Sequence, residues 1–229
     1  DKPCFVIPNF VETDDFRPAG PKTVTFAFTS PSGSIQSELA MLTAFLDSYD
    51  RQATTDWSIL VIGNLTAQER LSAQDWRHGR VVSHPFSDFE DYLRTIASAE
   101  TVLVPLSDTS FNRAKTPIRL MDAAIVGTQA VFCPVGTYAD IGRTLAEIAP
   151  DTAALCVPPN DWAEAGGSLG PLLSLVAQNT EALKQAIREK YGTQAARDCY
   201  RAVLSVGLPS VPVPIPSPED GLQTRGGRA

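Results

Sequence analysis

With 229 residues, 43% of them apolar, the chain suits one ordinary domain with appendages and can fill a single core. Its net charge of -7 argues against nucleic acid as a partner, because backbone binding depends on clustered Lys and Arg. The longest apolar runs, Trp57 to Ile62 and Thr101 to Leu106, fall far short of the roughly 20 residues a membrane-spanning helix needs, and Cys4, Cys133, Cys156 and Cys199 are too scattered for a zinc site or a disulfide framework.

The chain starts at Asp1 without a basic or apolar leader, so the start reads as a cut and targeting is unreadable from it; the location expected is cytoplasmic. Thr23 to Phe28 is a β-branched and aromatic run that reads as a strand; Ile35, Leu39, Leu42, Phe45 and Leu46 then recur at helical spacing. Ser58 to Ile62 reads as the next strand, closing at Gly63 and Asn64. A shorter strand, Arg80 to Ser83, precedes a helix from Asp88 to Ala99, and Thr101 to Leu106 is a further buried strand. Thr116 and Pro117 predict a helix start, with Thr as N-cap and Pro at the first helical position, and Gly127 predicts its end. Gln129 to Cys133 returns as a strand, followed by a helix from Ala139 to Ile148 and a strand from Ala153 to Val157. This alternation predicts an α/β fold with a doubly wound parallel sheet of about six strands. Such sheets bind ligands at the carboxyl ends of their strands. Two helical stretches, Trp162 to Ala177 and Thr180 to Leu204, are expected to pack back over the sheet. The organisation expected is a linker over 1–21, the α/β domain over 22–160, C-terminal helices over 161–205 and a Pro/Gly-rich disordered tail over 206–229, with a proline-rich docking ligand as the alternative for the tail.

Three stretches carry a resemblance. IPNFVETDDFRP at the start resembles the "IPN-x-V-D...F-x-P" segment between the two Rossmann-like domains of GT-B glycosyltransferases of the group 1, family 4 kind. FTSPSGSIQSEL is similar to the "SGS/T" turn after the first strand of their donor domain, and PLSDTSFNRAKTPIRLMDAAIVGTQAVFCPVGTYADI resembles the "PL-x-D-x-x-FN-x-x-K-x-x-x-K-x-x-E-x-x-x-x-G...VG-x-Y" of a subset of that group. The resemblance covers 1–204 and rests on order and spacing together. It implies the donor-binding, Rossmann-like half of a GT-B hexosyltransferase of glycan biosynthesis. The donor would be a nucleoside-diphosphate sugar, with no cofactor and no metal, and transfer would retain the anomeric configuration. It also implies an acceptor-binding domain ahead of Asp1, without which the chain would be inactive alone. Peripheral membrane association through that missing half is compatible with this expectation.

The residues can be read without the family. Arg113, Lys115 and Arg119 are three cations between Thr109 and Met121, a window without any acid. Placed after a strand end at a helix N-terminus, Lys115 and Arg119 suit a diphosphate; the alternative is a solvated basic surface. Asp122, three residues beyond Arg119, suits two ribose hydroxyls, and by resemblance it stands at the second acid of "E-x7-E", while the first acid is replaced by Ala114. Asp108 is a candidate acid nearby or an ordinary turn residue. Ser32, Gly33 and Ser34 form the turn after the first strand, where glycine permits close backbone approach to a phosphate or sugar and Ser34 would equally serve as a helix N-cap. His84 lies where the resemblance places base recognition, and a structural histidine is the alternative. Asn112 and Tyr138 enter as substrate-binding candidates through the resemblance, Asn112 also being a plain turn former. Two other classes stay open: a non-catalytic nucleotide-sugar-binding module, and a flavodoxin-like domain with an unrelated ligand.

Overall fold

The computed structural model describes residues 9, 20–30 and 35–205. The expected 206–229 tail, most of the 1–21 linker and the Ser32, Gly33 and Ser34 turn lie outside the described residues. Five parallel strands, β1 (Val24–Thr29), β2 (Trp57–Ile62), β3 (Gly79–His84), β4 (Ala99–Val104) and β5 (Gln129–Phe132), form one sheet in the order β3-β2-β1-β4-β5. After β3 the chain crosses to the other side of β1, so the strand order reverses between β1 and β4. A doubly wound sheet opens its ligand crevice at that point.

Every side chain of β2 is buried. Since successive side chains of a strand point to opposite faces, helices must cover the sheet on both. The order begins with α1 (Gln36–Gln52), α2 (Leu65–Ser72) and α3 (Phe89–Ala97) between the first four strands. The short α4 (Ser110–Arg113) and α5 (Ile118–Ile125) separate β4 from β5, and α6 (Thr137–Ile148) and α7 (Pro150–Ala153) follow. The chain continues through α8 (Trp162–Ser168), α9 (Gly170–Leu173), α10 (Val176–Tyr191) and α11 (Thr193–Ser205). Helix α8 packs on α1, so closely that a side chain at Gly166 would run into the Phe45 carbonyl, and α10 packs on α5, α6 and β5.

The core centres on Phe26, whose ring meets Phe45, Tyr49 and Trp57 edge-on at centroid separations of 5.8, 4.9 and 6.0 Å. Asp50 lies buried beside them and accepts from Trp57 Nε1 (2.9 Å) and from the amides of Arg77 (2.8 Å) and His78 (2.9 Å). Burial pushes its carboxyl up, but these three donors outweigh that and hold it below the ordinary value.

Several expectations change, and one element was not expected. The strand expected at Ala153 to Val157 is a single parallel bridge, Phe132 to Cys156, because α7 takes up its first residue. The helix expected to start at Thr116 starts at Ile118; Pro117 takes the N-cap position and no side chain caps it. The helical stretch expected from Trp162 to Ala177 breaks into α8 and α9, with α10 starting at Val176, and the one expected from Thr180 to Leu204 divides into α10 and α11 at Gly192. Helix α2, capped by the Asn64 side chain accepting from Ala67 N at 2.9 Å, is an element the apolar periodicity missed.

Candidate functional site

A cavity of about 670 Å³ opens at the reversal point. Thr29, the last residue of β1, and Leu106, just beyond β4, form its floor between the two strands where the order reverses. Phe86, Ser87, Phe89 and Tyr92 from the segment after β3, Phe111, Lys115, Thr116, Ile118, Arg119 and Asp122 from the segment after β4, and Tyr138 from α6 complete the lining. The cavity lies beyond the ends of β1 and β4, where the strand-end rule expects a ligand.

Four of the expected residues line this cavity: Lys115, Arg119, Asp122 and Tyr138. The Lys115 ammonium sits 4.5 Å from the centroid of the Phe111 ring, a cation–π contact with an exposed aromatic. Partial burial, then the neighbouring Arg119 charge, lowers its pKa from the ordinary value. Asp122 is only 5% exposed and accepts the Tyr92 hydroxyl at Oδ2 (3.0 Å). Burial drives its carboxyl up to about 6 against the opposing pull of Tyr92 and Arg119. Tyr138 is buried, which raises its phenol to about 12. The Arg119 charge acts, after burial, on Lys115, Tyr92, Asp122 and Tyr138.

The structure keeps three expected residues out of the cavity lining. Asp108 forms a two-point ion pair with Arg113, Oδ1 to Nε at 2.6 Å and Oδ2 to Nη2 at 2.8 Å, which holds the carboxyl below its ordinary value. The acid lies one residue outside the window that held no acids, so the cationic excess reduces to Lys115 and Arg119. Asn112 is buried and donates from Nδ2 to the Ser107 carbonyl (2.9 Å) and to Glu38 Oε1 (3.2 Å); it pins the loop to α1. His84 donates from Nδ1 to the Pro85 carbonyl (2.8 Å), and its Nε2 lies 3.9 Å from an Asp91 oxygen.

Gly136 supplies a further constraint. Its φ is +59°, and a side chain there would strike the Arg113 backbone. The loop after β5 therefore lies directly against the segment that carries Lys115, and Thr137 donates its hydroxyl to the Lys115 carbonyl. Only glycine tolerates both the left-handed conformation and the contact.

Sequence reading missed Thr29, Phe86, Phe89, Tyr92, Phe111 and Ile118. Thr29 could have been found, since it ends the strand whose carboxyl end was expected to face a ligand. The exposed aromatics Phe86, Phe89 and Phe111 carry no chemical signature in sequence; only their exposure beside a cavity sets them apart.

No protein-family model matches the sequence, and no curated protein matches it. Solved structures do. A TarM variant from S. aureus, in a complex that includes UDP, matches with a TM-score of 0.56 and 15% identity over 87% of this chain and 39% of that one. AviGT4, a glycosyltransferase involved in avilamycin A biosynthesis, matches with a TM-score of 0.53 and 16% identity over 88% of this chain and 58% of its own. A trehalose-6-phosphate synthase, described as transferring its glycosyl group with retention, matches with a TM-score of 0.51 and 12% identity over 82% and 46%. At such identities the likeness speaks for the fold: the chain has the Rossmann-like architecture of a domain of GT-B glycosyltransferases and spans less than two thirds of the length of each of these three structures.

Proposed function

We propose that this chain is the donor-binding part of a glycosyltransferase that moves a sugar from a nucleoside-diphosphate sugar to an acceptor. The observation that carries the reading is the cavity at the strand reversal, where two cations and one buried carboxylate line an otherwise largely apolar wall. Lys115 and Arg119 would meet the diphosphate and stabilise the charge that develops on the leaving nucleoside diphosphate. Asp122 would accept the ribose hydroxyls, and the exposed Phe86 and Phe89 suit the flat face of a base. In this reading the two cations carry the charge neutralisation. UDP in the TarM complex supports the substrate class, and retention in the trehalose-6-phosphate synthase supports a transfer that retains the anomeric configuration.

Titration with UDP, GDP and ADP, and with the matching nucleosides, tests the assignment. Lys115→Ala and Arg119→Ala should each weaken the diphosphate by about 1.5 to 3 kcal/mol, roughly 10- to 150-fold, while leaving the nucleoside nearly unchanged. Equal losses for both ligands overturn the assignment. A binding module without transfer is the second reading. Ala114 favours it, standing where the related motif has its first acid. Release of nucleoside diphosphate from a bound nucleotide sugar in the presence of acceptors, measured with the acceptor-binding half that the transferase reading requires, separates the two.

A further inference from the structure

Tyr92 and Asp122 stand thirty residues apart on α3 and α5, and no motif connects them. In the cavity they meet: the Tyr92 hydroxyl donates to Asp122 Oδ2 at 3.0 Å, and the Thr29 hydroxyl at the end of β1 contacts Tyr92 in turn. All three line the same cavity. A buried carboxylate on a short side chain can rotate about its terminal torsion, which is broad rather than staggered. A hydrogen bond to one oxygen removes that freedom and leaves the other oxygen to accept from a ligand.

The geometry points to Tyr92 as the positioning residue of this site: it fixes the Asp122 carboxylate, through Oδ2, in the orientation that accepts a ribose hydroxyl. This rests on the nucleotide-sugar reading above and adds to it a residue that neither the motifs nor the fold comparison assigns. Tyr92 is well placed for the task because its own phenol stays protonated. Burial and the Asp122 charge both push its pKa up, so it acts as a fixed donor. The other titratable groups that face Asp122 are Arg119 on its own helix and Tyr138 from α6. Lys184 of α10 lies by Gly127, just past the far end of α5.

Removing the hydroxyl without removing the ring isolates the effect. The purified protein and its Tyr92→Phe variant are titrated with UDP-glucose, GDP-mannose and ADP-glucose between about pH 5 and 8. Nucleotide sugars are the right probes, because a free terminal phosphate titrates near pH 6 itself. For the sugar nucleotide that binds, wild-type affinity should rise with pH as Asp122 ionises. Tyr92 pulls that ionisation down, so in Tyr92→Phe the rise should shift to higher pH. The variant should also lose several-fold affinity for the ribonucleotide sugar and little for its 2′-deoxy analogue. A merely structural tyrosine would leave both the pH midpoint and the deoxy discrimination where they were, and that result overturns the inference. Tighter ribonucleotide binding by Tyr92→Phe overturns it too, since it means that the tyrosine competes with the ribose. If Asp122→Asn weakens binding but Tyr92→Phe is indistinguishable from wild type, the positioning role alone fails. If the wild-type protein binds none of the three, the nucleotide-sugar reading fails and takes this role with it.

Discussion

Asp122→Asn should make the unliganded protein more stable at neutral pH. The carboxyl titrates near 3.8 when exposed and at about 6 in the folded protein, with burial as the main cause. Each factor of ten in proton affinity is worth ~1.4 kcal/mol, so ionised Asp122 costs the fold up to about 3 kcal/mol. Below pH 3.8 the group is neutral in both states and costs nothing. Between 3.8 and about 6 the unfolded chain ionises first, so stability falls as pH rises, and above the folded value the full cost is present. Asparagine keeps the carbonyl that accepts from Tyr92 and never ionises. Urea unfolding of both proteins at about pH 4.5, 6 and 8 should show the variant gaining progressively, by up to about 3 kcal/mol at pH 8. The same substitution should weaken the ribonucleotide more than its deoxy analogue, a trade of stability for function. A stability difference that stays constant with pH, or a variant that loses ground at pH 8, would refute the reasoning, because it would mean that the ionised carboxylate is not under strain.

Gly136→Ala should destabilise the fold by at least about 1 to 2 kcal/mol from the left-handed conformation alone, with a further cost from the clash against the Arg113 backbone; weakened nucleotide binding should accompany it because Lys115 lies two residues along the displaced segment. Thermal melts that match wild type would contradict this. Asp50→Ala should cost about 3 kcal/mol or more, since it leaves the Trp57 indole and two backbone amides without their acceptor. The Asp50 carboxyl is held below its ordinary value, so that stabilisation is present at neutral pH and lost as pH falls through the folded value; denaturation curves of variant and wild type should converge in acid. Nucleotide binding should be unchanged by EDTA in calorimetric titrations, as expected if Lys115 and Arg119 meet the diphosphate directly, and a large fall in affinity would show that a divalent ion takes part.

The alternation of strands and helices was legible because it is written in local periodicity, which survives without tertiary information. Boundaries failed where tertiary contacts decide them. Thr116 and Pro117 look like a cap and a first helical residue, yet the backbone at Thr116 turns to accept from Ile118, and the helix starts past both. Ala153 to Val157 has the composition of a strand, but only Cys156 pairs in register with β5, and the chain before it coils into α7. Helix α2 escaped notice because it buries only Ala67 and Leu71, too few apolar positions to mark a face.

The candidate site divides along the same line. Lys115, Arg119 and Asp122 were legible because they cluster within eight residues of one segment, so local spacing alone puts them together. Asp108 and Asn112 belong to the same stretch, but their side chains are engaged by protein partners, Asp108 at the surface and Asn112 buried. One is paired with Arg113 and the other is tied to Ser107 and Glu38, and no spacing rule tells a residue that binds a ligand from one that shapes the loop beneath it. Tyr92 could not be reached from sequence at all, since its proximity to Asp122 exists only because α3 and α5 pack together beside the strand reversal. Such a partner, distant in the chain, hydrogen-bonded and buried, engages one oxygen of the group that the motif displays and opposes the rise in proton affinity that burial causes. A motif can therefore name the carboxylate, while burial and a hydrogen-bond partner that the motif does not contain set its proton affinity.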